Sequence, residues 1–142
     1  MLNDNLALRG ALTVRKNGKV IHQIDNLIVT TGKNLVAASL GGGATTITHM
    51  AIGTGTTAAA ITDTTLETEL DRNALTNSGG TVSGNTIQFD CTWAAGDGTG
   101  ALSEAGLFSA ASGGIMLARK TFAVVNKSSL DTVSISWTVT VS

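Results

Sequence analysis

The feature that most restricts this chain is the period-two pattern of its C-terminal stretch, Asp131-Thr-Val-Ser-Ile-Ser-Trp-Thr-Val-Thr-Val-Ser142. Successive side chains of an extended chain point to opposite faces. Val133, Ile135, Trp137, Val139 and Val141 therefore share one face, and Thr132, Ser134, Ser136, Thr138 and Thr140 the other. The stretch Thr86-Ile-Gln-Phe-Asp-Cys-Thr-Trp93 repeats the design, with Ile87, Phe89, Cys91 and Trp93 inward and Thr86, Gln88, Asp90 and Thr92 outward. Neither ribbon can bury its apolar face alone, which predicts an all-β, sheet-on-sheet architecture.

A chain of 142 residues is one domain, 1–142, long enough to bury most of the surface its unfolded form exposes. Residues 1–5 read as an N-terminal arm. Charged residues are 13% of the chain and the net charge is -1, so there is no nucleic-acid footprint and no polybasic membrane patch. With 42% hydrophobic residues, this low charge points to a surface covered by neighbours in use. The single Cys91 lies on an inward face, cannot form an intramolecular disulfide and reads as a small core hydrophobe. No apolar run approaches the ~18 residues that span a bilayer. Met1-Leu-Asn-Asp-Asn5 lacks the features of a signal peptide, so the protein is expected to be made and kept in the cytosol.

Taken in order, Leu6, Leu8, Leu12 and Val14 alternate with polar and small residues, and Gly10 interrupts them as a bulge or close-approach point. Asn17-Gly18 suits a type I′ hairpin, because both positions need positive φ. The return strand, residues 20–24, resumes at 27–30 after a break at Asp25-Asn26. Residues 31–40 read as a short helix capped by Thr31 and stopped by Gly41, Gly42 and Gly43. A strand over 47–52 leads into residues 53–60, read as a surface loop. Thr64-Thr-Leu-Glu67 matches a capping box and predicts one helical turn. Strands follow at 72–76, 81–82, 87–93, 102–109 and 115–122, with a glycine-rich loop at 94–100 and a polar link at 124–129 before the last strand. The total is eight or nine short antiparallel strands, a jelly-roll-like β-sandwich with one inserted helix. No proline occurs, so edges are protected by bulges, charges or pairing to another chain.

Candidate chemistry is sparse. His22 and His49 have no Cys, Asp or Glu at ligand spacing, and no metal or cofactor is called for. Gly53-Thr-Gly-Thr56 lacks the context of a phosphate-binding loop. Glu67, Glu69 and Asp71 lack calcium-loop spacing and read as a solvated face. Glu104 stands in an otherwise apolar or small stretch, and a part-buried carboxylate demands a partner. Arg119, in the next strand, or Arg72 can supply one. Ser, His and Asp occur without a nucleophile elbow, so catalysis is not indicated. Phe89, Trp93, Phe108 and Trp137 are the core anchors.

Five stretches, Met50-Ala-Ile-Gly-Thr-Gly-Thr-Thr-Ala-Ala59, Leu66-Glu-Thr-Glu-Leu-Asp-Arg72, Leu102-Ser-Glu-Ala-Gly-Leu-Phe108, Met116-Leu-Ala-Arg-Lys-Thr-Phe122 and Val133-Ser-Ile-Ser-Trp-Thr-Val139, resemble in the same order small virion structural proteins of tailed bacteriophages. The resemblance covers residues 27–142 and rests on scaffold motifs. It implies a capsid cement or decoration protein, located on the outer capsid surface of the virion and bridging capsomers. Its partners would be the major capsid protein and itself, as a trimer first and a dimer second. The alternative is an attachment or adaptor module of tail fibre or collar. A carbohydrate-binding sandwich or small hydrolase is a third reading, which the inward tryptophans and the absence of tyrosine disfavour. The working parts expected of a cement protein are unpaired strand edges, the residue 1–5 arm and two glycine-rich loops. Gly53, Thr54, Gly55 and Thr56 belong to one loop, and Gly96, Asp97 and Gly98 to the other.

Overall fold

The period-two ribbons pair into a sheet that curls on itself. The computed structural model describes residues 6–43 and 45–142, and the arm expected over residues 1–5 lies outside them. Among the described residues the strands are β1 (Leu8–Lys16), β2 (Lys19–Ile28), β3 (His49–Gly53), β4 (Glu69–Ala74), β5 (Thr81–Ser83), β6 (Thr86–Trp93), β7 (Gly100–Phe108), β8 (Met116–Lys127) and β9 (Val133–Val141), with one helix, α1 (Thr30–Leu40). They pair in the order β4-β3-β7-β8-β2-β1-β9-β6-β5. Every pairing is antiparallel, which makes an all-β, sandwich-like fold.

The C-terminal ribbon is central. β9 lies between β1 and β6, so Trp137 is flanked by Leu12 on one side and Phe89 on the other. Its buried face meets Met50, Ile52, Leu102 and Leu107 of the opposite layer in one core. Phe89, Trp93, Phe108 and Trp137 are all buried, Phe108 in a cluster separate from this core. Burying each such side chain contributes about 1.5–3 kcal/mol.

The β1–β2 hairpin turns where expected, with Asn17 at φ 51° and Gly18 at φ 80°. The break expected at Asp25-Asn26 is absent. β2 runs through it, pairing with β1 up to Asn26 and then with Arg119 and Ala118 of β8 through Leu27 and Ile28. One strand thus passes from the first layer to the second. Gly10 is a close-approach point, because a Cβ there would collide with the Asn26 side chain. Asn26 Oδ1 in turn accepts a hydrogen bond from Trp137 Nε1 at 2.8 Å. The register shift in β1 falls at Val14/Arg15 instead.

The far rims of the two layers meet. β5 covers only residues 86–88 of β6, and the rest of β6 faces the segment that follows β4. Thr76 N–H donates to Asp90 O at 2.8 Å, Asn77 Nδ2 to Gln88 O at 2.9 Å, Asp90 N–H to Asn77 Oδ1 at 2.8 Å and Asn73 Nδ2 to Thr92 O at 3.1 Å. The edge groups expected to wait for another chain are spent here within the molecule.

A third, partial layer covers the outer face of β3, β7 and β8. Helix α1 lies against β8 at Gly32, where a Cβ would strike the Leu117 backbone. Thr31 does not cap it, since its hydroxyl donates to Met116 O at 2.7 Å and the cap position is Val29. Residues 54–68 cross the same face without regular structure. Thr64 to Glu67 form no helical turn, because the Glu67 carboxylate accepts from Thr57 N–H at 2.9 Å rather than capping a helix. Under this layer Val29, Ala51, Leu66, Phe108 and Met116 form a cluster separate from the main core. β7 is consequently buried on both faces from Leu102 to Phe108. β8 continues to Lys127, through residues expected to be a link.

Candidate functional site

Glu104 and Arg119 form the polar centre of the covered face. Glu104 has no exposed surface and Arg119 is 2% exposed. The register sets Arg119 opposite Gly106, with Glu104 one step along the same face. Arg119 Nη2 and Nε donate to Glu104 Oε2 at 2.9 and 3.1 Å. The carboxylate also accepts three backbone amides: Gly55 N–H at 3.0 Å and Thr68 N–H at 2.8 Å on Oε1, and Glu67 N–H at 3.0 Å on Oε2. Arg119 also donates from Nη1 to Asp63 Oδ2 at 2.8 Å and from Nη2 to Thr57 O at 3.0 Å. Burial pulls against the guanidinium charge, but its hydrogen bonds to Glu104 and Asp63 outweigh it and hold the Arg119 pKa above the ordinary value. Glu67, 3.9 Å from Arg119, is held below the usual carboxylate range, first by its hydrogen bonds with Thr57.

The glycines expected at a surface loop belong to this centre. A Cβ on Gly53 or on Gly55 would stand 2.6 Å from Glu104 Oε1. Both glycines are buried, so the Gly-Thr-Gly sequence is required by the close approach of backbone to carboxylate. Ser103 adds a hydroxyl donated to Gly55 O at 2.8 Å. Thr54 is half-buried and Thr56 exposed.

Arg72 does not reach Glu104. It pairs with Glu69 at 2.6 Å, donates to Ala110 O and Gly113 O, and lies 3.7 Å above the Phe108 ring centroid. The acidic run is therefore only partly a solvated face, with Glu67 and Glu69 each engaged. In the other glycine-rich loop Gly96 and Asp97 are exposed, while Gly98 lies against Ile52 and Trp93. Lys127 is buried below that loop and donates to Ala94 O at 2.9 Å. Cys91 sits in the core, and burial pushes its thiol up to about 12. His22 spans the divergence of β2 from β8, its Nε2 2.8 Å from Ala123 O.

Sequence reasoning reached Glu104 and Arg119, because a charged residue in an apolar strand needs a partner. It missed Asp63, Ser103 and Lys127. Lys127 had a visible signal, a cation at an inward position of a period-two stretch. Asp63 had none.

The arrangement locks a loop: the carboxylate's acceptor positions are filled and its charge is neutralised. Away from it, the surface carries large apolar side chains, with Leu40 86%, Leu130 87% and Val82 70% exposed. A groove of about 300 Å³ between α1 and Ile115 is lined by Thr31, Asn34, Leu35, Ala38 and Ser39, with no charged group. Compared with protein-family models, with curated proteins and with solved structures, the chain matches none.

Proposed function

We propose that this chain is a non-enzymatic structural component of a tailed-bacteriophage particle, a cement protein that binds the outer surface of the capsid and bridges neighbouring capsomers. One observation carries the reading: four of the five stretches that resemble virion structural proteins converge on the Glu104–Arg119 clasp. They supply Gly55 and Thr57, then Glu67 and Thr68, then Glu104, then Arg119. The residues of these stretches thus hold the loop to the sheet, and the exposed apolar side chains Leu40, Leu130 and Val82 are left for contact with other proteins. On this reading the partner is the major capsid protein, and the chain binds as a homo-oligomer, trimer ahead of dimer. It acts by mass action, stabilising the assembled shell over its parts.

The test is to add purified protein to shells that lack it and follow their thermal disruption by light scattering. A rise in disruption temperature, with added density spread over the icosahedral head, supports the proposal. No rise overturns it. Density confined to the tail axis replaces it with the collar or tail-fibre reading.

A further inference from the structure

The loop of residues 54–68 is built as a lid. Its base is closed by Thr54 N–H donating to Thr68 O at 2.9 Å. Its middle is cross-tied by Thr57 N–H to Glu67 Oε2 and Ala60 N–H to Asp63 Oδ2, both at 2.9 Å. A loop whose ends meet and whose own groups bond to each other moves as a body. Its attachment to the sheet is narrow. Among the described residues, the hydrogen bonds that tie it to β7 and β8 all end on Glu104, Arg119 or Ser103. One further bond, Thr30 N–H to Ile61 O at 2.8 Å, reaches α1.

The apolar side is equally separable. Leu66 is the loop's contribution to the cluster of Val29, Ala51, Phe108 and Met116, and that cluster is distinct from the core that holds the two layers together. Lifting the loop bares the cluster and leaves the main core packed. Units with few apolar contacts of their own open at a fraction of the global free energy.

We infer that residues 54–68 form a latched lid that opens as one unit from an otherwise intact sandwich, with the Glu104–Arg119 pair as its catch and the Ala51, Phe108 and Met116 face beneath it. The face of Ala51, Phe108 and Met116 then exists in two states, closed over by Leu66 of the loop or bared.

Native-state hydrogen exchange tests this on the full chain. The amides of Gly55, Glu67 and Thr68 all donate to Glu104, so a latched lid gives them one common opening equilibrium, at least about tenfold more open than the amides of the β1–β9 ladder. In Arg119→Lys the three move together to faster exchange while the ladder is unchanged. Exchange of the three only with the ladder, or each at its own rate, overturns the lid. Should Arg119→Lys fail to fold, Ala51→Cys serves in its place, with Cys91 of the main core as the internal reference. A latched lid makes the introduced thiol react with a soluble thiol reagent at least about tenfold faster than Cys91. Equal rates overturn it.

Discussion

Five donors converge on the buried Glu104 carboxylate, two from Arg119 and three from the backbone. The two kinds of donor predict different losses. Arg119→Met leaves a buried carboxylate with its amides but no counter-charge, and is expected to cost about 3–5 kcal/mol. Glu104→Leu strands three amides and a guanidinium, and each orphaned amide costs about 1–3 kcal/mol. An ordinary buried ion pair is relieved when both partners become apolar. Here the amides stay orphaned, so the double variant should regain the cost of the stranded guanidinium over Glu104→Leu alone and still fall short of wild type when urea unfolding is compared. Recovery to wild-type stability would show that the amides contribute nothing. The sequence offered Arg119, at a plausible cross-strand position, or Arg72 as the partner, and register decides between them. Arg119 faces Gly106, which has no side chain to stand between the guanidinium and Glu104, whereas Arg72 lies on β4 and rests on Phe108. The amides of Glu67 and Thr68 were not legible, because backbone donors in an irregular segment carry no sequence sign of the carboxylate they face.

Asn17-Gly18 announces the β1–β2 hairpin, and beyond the β1–β9 ladder its tip is tied to the turn between β8 and β9. Asn17 Nδ2 donates to Asp131 Oδ1 at 2.9 Å, Thr132 N–H to Asn17 Oδ1 at 2.9 Å, and Ser128 N–H to Asp131 Oδ2 at 2.8 Å. The Asn17 hydrogen bond first, then Ser128, with a smaller contribution from Lys16, hold the Asp131 carboxyl well below the usual range. A depressed folded pKa stabilises above the unfolded value of about 3.9, and the contribution is lost as pH falls through the folded value. Thermal midpoints of wild type and Asp131→Ala should therefore differ most above about pH 5 and converge on acidification. A gap that does not change with pH would remove the charge from the explanation. The end of β8 was misjudged for a related reason. Val125 and Lys127 point inward while Val124 and Asn126 are exposed, so the period continues, but with a cation at an inward position. A lysine in that place reads as the end of a strand until Ala94 O is seen to receive it.

Two curled layers leave rims, and an exposed rim is a template for pairing with another chain. Period two in β6 and β9 was enough to foresee stacked layers, but not that they close on each other. Closure depends on Asn77, within Thr76-Asn-Ser-Gly-Gly80, a run that reads only as a turn. Its side chain stands in for a strand: Nδ2 donates to Gln88 O, and Oδ1 accepts from Asp90 N–H, as a neighbouring backbone would. Asn77→Ala should consequently do two things. The loss of stability should be about 1–3 kcal/mol, from the amide left without an acceptor. The freed edge of β6 should also promote association between copies, so the sedimentation coefficient of the variant should rise with concentration more steeply than that of wild type. Lost stability without added association would mean that β5 and its hairpin shield the edge by themselves. If neither changed, the seam would be held by packing alone, through contacts such as Cys91 against the Asn73 and Ala74 carbonyls. Association between copies of the native protein would then use the surfaces where Leu40, Leu130 and Val82 of β5 stand exposed, because the strand edges at this seam are already taken.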